Sequence, residues 1–67
     1  DRVQIVQQGR TICVAGAEGK AVAVCDVLGR TIAATSEAAE RWEARIPHPG
    51  MFFVRIEGLP VRKVVAR

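Results

Sequence analysis

The residues of this chain with any capacity for chemistry are few. They are Cys13 and Cys25, a single histidine (His48), a single serine (Ser36), and carboxylates that include Asp26 and Glu43. Two thiols in a small domain suggest either a disulfide staple or metal ligands. Eleven residues separate them, and with one histidine the set supplies fewer ligands than a structural zinc site takes. His48 lies between Pro47 and Pro49 and reads as an exposed turn residue, because no triad of nucleophile and orienting acid surrounds it. Asp26 and Glu43 lack the spacing of paired catalytic carboxylates, and Ser36 stands in an Ala/Glu-rich stretch. The residue set predicts no enzyme, no metal site and no cofactor.

What must position these side chains is a set of short strands. Gly and Pro punctuate the apolar runs at Gly9, Gly16, Gly19, Gly29, Pro47 to Gly50 and Gly58 to Pro60. Seven strands fit between them, near 2–7, 10–15, 20–25, 30–34, 41–46, 51–57 and 61–66. In the sixth, Phe52, Val54 and Ile56 alternate with Met51, Phe53 and Arg55, and the arginine assigns the first trio to the core. For the second and third strands, pairing 14 with 22 and 12 with 24 puts Ile12, Val14, Val22 and Val24 on one buried face. Ala17-Glu18-Gly19 is then a three-residue hairpin loop with Gly19 at positive φ. In that register Cys25 is only a diagonal neighbour of Cys13, about 7–8 Å away, which argues against a disulfide.

One segment supports two readings. Ser36 to Arg45 is rich in helix formers, with Ser36 placed as a cap and Ala38, Trp42 and Ile46 four apart. The alternative is a loop at 35–40 followed by a strand with Trp42, Ala44 and Ile46 inward and Arg41, Glu43 and Arg45 outward.

With 67 residues there is room for one domain, and at this size one core barely offsets the entropy lost on folding. Eight Arg and two Lys give a net charge of +3, but the cations are spread without a block and there is no Tyr to stack bases. Nucleic acid is therefore not the expected partner. No apolar run is long enough to cross a membrane as a helix, and the start, Asp1-Arg2-Val3-Gln4, lacks the order of a signal peptide. The chain reads as a piece excised from a longer protein.

Three blocks in order carry a family likeness. They are Val22-Ala23-Val24-Cys25-Asp26-Val27-Leu28-Gly29-Arg30, then Ile46-Pro47-His48-Pro49-Gly50-Met51-Phe52-Phe53-Val54-Arg55-Ile56, then Arg62-Lys63-Val64-Val65-Ala66-Arg67. Together they resemble the C-terminal sorting domain of proteins exported by the type IX secretion system of Bacteroidetes, also called the Por secretion system. That family shows a strand ending in an aromatic-Asp pair and a Gly-Arg turn, a Pro-x-Gly-aromatic strand ending in Val-Arg, and a terminal Lys-Val-Val strand. Here Cys25 stands in place of the aromatic, Phe52 in place of a Tyr, and the Asn-Pro often found near the first turn is missing. The family also favours the loop-and-strand reading of 36–45.

The strand count and alternation predict a seven-stranded antiparallel immunoglobulin-like β-sandwich over residues 1–67, with Val22, Val24, Ile32, Trp42, Ile46, Phe52, Val54, Ile56 and Val64 as core, and the resemblance agrees with it. The resemblance implies a secretion signal for an attached cargo, passing through the periplasm and read by translocon and sortase proteins at the outer-membrane surface or released beyond it. Asp26, Gly29, Pro49, Gly50 and Phe52 are then fold-motif residues, accounted for by turn and strand chemistry. Arg30, Arg55, Lys63, Val64, Val65 and Arg67 are the recognition candidates, with the last strand pairing to a partner or, in a strand-exchanged homodimer, to another copy. The competing class is an immunoglobulin-like or fibronectin-like spacer or docking module of a cell-surface protein. A basic surface for anionic polysaccharide or nucleic acid is a third reading, marked by steep salt dependence.

Overall fold

The computed structural model describes residues 2–67 and realises the alternating pattern as seven strands with no helix. They are β1 (Gln4–Gln8), β2 (Thr11–Ala15), β3 (Val22–Cys25), β4 (Thr31–Thr35), β5 (Arg41–Arg45), β6 (Gly50–Ile56) and β7 (Arg62–Ala66). All neighbours are antiparallel, in a three-stranded sheet ordered β1-β2-β5 and a four-stranded sheet ordered β4-β3-β6-β7. The two sheets enclose one core of Ile12, Val14, Val22, Val24, Ile46, Phe52, Val54 and Ile56, joined by Ala17, Ala38, Ala44 and Ala66. Period two is the reason: along β6, Phe52, Val54 and Ile56 are buried while Met51 and Arg55 are exposed. Ile32, Trp42 and Val64 pack against this core but stay half-buried.

The expected β2-β3 hairpin does not form. Val14 lies opposite Ile5 and Trp42, and Val22 lies opposite Thr35 and Ile56, so the two strands belong to different sheets. Ile12, Val14, Val22 and Val24 do share the core, but from opposing sheets rather than one face. The turn expected at 17–19 is present, with Gly19 at φ 81° and the Lys20 amide donating to the Ala17 carbonyl. What diverts the chain is the 36–40 loop. Gly16 N–H donates to Glu40 O at 3.0 Å, Gly19 N–H to Ala38 O at 2.8 Å and Ala38 N–H to Lys20 O at 2.9 Å. Backbone groups that a hairpin would pair with each other are satisfied by this loop instead.

Residues 41–45 are a strand, with Ala44 and Ile46 buried, Trp42 half-buried, and Arg41, Glu43 and Arg45 exposed. The helix-forming composition loses because Ala38 is drawn into the core and β2 offers a full ladder from Thr11 to Ala15. A bulge between Val24 and Cys25, where the β4 register jumps from Ala33 to Thr31, lets both Ile32 and Ala33 reach the core.

Candidate functional site

The turn after β3 is built around one carboxylate. Asp26 is buried, its Oδ1 accepts the Leu28 and Arg30 amides at 2.9 Å each, and its Oδ2 accepts Arg30 Nε at 2.8 Å. The Asp26 amide donates back to the Arg30 carbonyl at 2.9 Å, and Gly29, at φ 83°, donates to the Asp26 carbonyl at 3.0 Å. Asp26 and Gly29 thus have the turn roles their types suggest. Arg30 joins them through an ion pair, while most of its side chain remains exposed. Burial acts to raise the Asp26 carboxyl. The Arg30 amide and guanidinium, the Leu28 amide and the charge of Arg30 outweigh it, so the group lies below its ordinary value.

The Pro49-Gly50 block opens β6. Gly50, the first residue of the strand, has φ 141°, and the His48 ring covers Phe52 at 5.4 Å between centroids, tilted by 39°. His48 Nδ1 lies 2.7 Å from the Pro49 carbonyl oxygen and the residue is exposed. Phe52 is fully buried at the head of the inward trio.

The recognition candidates divide by the pleat. Val64 faces inward opposite Phe52, half-buried. Arg55, Lys63 and Val65 point from the outer face of the four-stranded sheet, with Lys63 opposite Phe53 and Val65 opposite Met51, and Arg67 follows the same alternation just beyond β7. Arg30 stands apart from them in the turn. Since β7 pairs with β6 alone, its other edge has no strand partner among the described residues, although β1 packs close to it.

The opposite outer face, on the three-stranded sheet, is of another kind. Gln4, Val6, Gln8, Thr11, Cys13 and Ala15 line it, and its charges cancel where Arg41 Nε meets Glu43 Oε2 at 3.3 Å. Cys13 is half-buried there and Cys25 is buried on the far sheet opposite Phe53, and both are free thiols. The diagonal register expected for the two thiols does not form, because β2 and β3 lie in different sheets. Among the described residues no three His, Cys, Asp or Glu side chains gather as a metal site, and no helix is long and apolar enough to cross a membrane.

What sequence reasoning missed in this region is the Arg30 ion pair and the packing role of Ala17 and Ala38. An Asp four residues before an Arg around a Gly turn was a usable signal for the first. Nothing in the residue types marks Ala17, and Ala38 is marked only by the helical spacing that the strand replaces.

No curated protein and no solved structure matches the chain. A family model described as a domain of unknown function, DUF6383, matches residues 1–66, and the chain belongs to that family.

Proposed function

We propose that this domain is a sorting signal, directing an attached cargo through the type IX outer-membrane translocon and read by translocon and sortase proteins on passage from the periplasm to the cell surface. The finer fold in this reading is an immunoglobulin-like sandwich whose fourth strand has joined the third, sixth and seventh, where constant-type domains keep it beside the fifth. The observation that carries the reading is β7. It is the Lys-Val-Val block of the resemblance, it is an edge strand whose second edge β1 approaches without pairing, and it turns Lys63 and Val65 outward. Charge on the rim then favours encounter with an acidic reader.

The test is export of a reporter fused to residues 1–67 in a Bacteroidetes host, compared with the same host lacking the type IX translocon. Delivery to the surface or medium only in the competent host supports the reading, and Lys63→Glu should reduce it while leaving the domain folded. Periplasmic retention in both hosts, with the domain folded, rejects it in favour of a spacer or docking module of a surface protein.

A further inference from the structure

We infer that the outer face of the four-stranded sheet is a docking surface for another protein, whose contact patch is apolar at its centre and carries carboxylates around it. The inference concerns this face rather than the β7 edge and does not rest on export. Scattered apolar residues on a surface carry no meaning, but these are concentrated. Of the six exposed large hydrophobics among the described residues, Met51, Val61 and Val65 stand on this face, exposed by 40%, 52% and 49%, and Val27 borders it. Register makes them contiguous: Met51 lies opposite Val65, and Phe53 lies between Cys25 and Lys63. Phe53, Val61, Val27 and Arg55 line one shallow depression together with Cys25 and Asp26, whose carboxylate is already paired with Arg30.

Charge identifies the occupant. Among the described residues neither Arg55 nor Lys63 has a carboxylate partner, since the ion pairs formed are Arg30 with Asp26 and Arg41 with Glu43. The nearest acid along β6, Glu57, lies at the end of the strand and accepts the Ala21 amide at 3.1 Å. An acidic rim on the partner neutralises these cations while its apolar centre covers the aliphatic floor. A second copy fits poorly, because a symmetric contact brings two copies of one cationic patch together and supplies no acidic rim to face Arg55 and Lys63. Nucleic acid also fits poorly, because aliphatic side chains do not stack bases and Phe53 is the sole, half-buried aromatic of the face.

Peptide phage display against the folded chain tests this without presuming a partner. Selected peptides should carry Asp or Glu on both sides of aliphatic or aromatic residues. Their binding should fall about tenfold or more in Val65→Asp and in Lys63→Glu. It should be unchanged in Val6→Asp, because Val6 is a matched control on the other sheet, with the same 49% exposure as Val65. Near-ultraviolet circular dichroism of Trp42 establishes that each variant is folded. Failure to enrich any peptide, enrichment of peptides without acids, or equal loss in Val6→Asp overturns the inference. So does an oligo-dT strand that displaces the peptides and loses binding in Lys63→Glu but not in Val65→Asp, which assigns the cations to nucleic acid.

Discussion

Asp26 and Arg30 close their turn twice over, through an Nε to Oδ2 contact of 2.8 Å and through the Arg30 amide on Oδ1 at 2.9 Å. Because these bonds favour the ionised carboxylate, the folded value is depressed below that of the unfolded chain. The stability it contributes is complete above the unfolded value and is lost as pH falls through the folded one. Asp26→Asn should therefore melt below the wild type at neutral pH, with the gap closing in strong acid as the wild-type carboxylate is protonated. A gap that stays constant across the titration would assign the turn's strength to packing instead.

Gly16 meets a constraint that the other turn glycines escape. It has φ 87°, and a Cβ placed on it would lie 2.6 Å from the Arg2 carbonyl oxygen, whereas Gly9, at φ 57°, has open space. Gly9→Ala should cost about 1 kcal/mol from backbone strain alone. Gly16→Ala must add displacement of the Arg2 backbone and should lose about 2–3 kcal/mol or more. Equilibrium urea unfolding of the two variants gives the order directly.

Phe52 and Phe53 are neighbours with opposite consequences. Removal of the fully buried Phe52 ring costs about 3–5 kcal/mol. The net stability expected at this chain length is about 3–10 kcal/mol, so Phe52→Ala should leave the domain partly or wholly unfolded. Phe53→Ala, on the half-exposed outer face, should stay folded. Circular dichroism and a thermal melt distinguish the two.

Cys13 and Cys25 should react with a thiol reagent as two free thiols with separate kinetics. Cys13 is half-exposed and Cys25 is only 6% exposed, so a thiol reagent should modify one rapidly and the second only as the domain opens. Reductant should leave the melting temperature unchanged. A reductant-sensitive melt would show that the chain carries a disulfide.

Local chemistry by itself determined seven strands, the inward trio on β6, the Asp26-Gly29 turn and the positive φ at Gly19. Each depends on neighbours within a few residues, through pleat periodicity and backbone freedom. Which sheet a strand joins was decided only by the tertiary structure. Ile12, Val14, Val22 and Val24 become buried whether β2 and β3 form a hairpin or face each other across the core, so the pattern is the same in both arrangements. The difference comes from distant backbone groups. β1 and β5 occupy both edges of β2, β4 and β6 occupy both edges of β3, and Ala38 accepts the Gly19 amide and donates its own to the Lys20 carbonyl. The outer face of the four-stranded sheet has in part the same origin: Phe53 meets Lys63 across consecutive strands, but it meets Cys25 only through the pairing of β3 with β6, far apart in the chain.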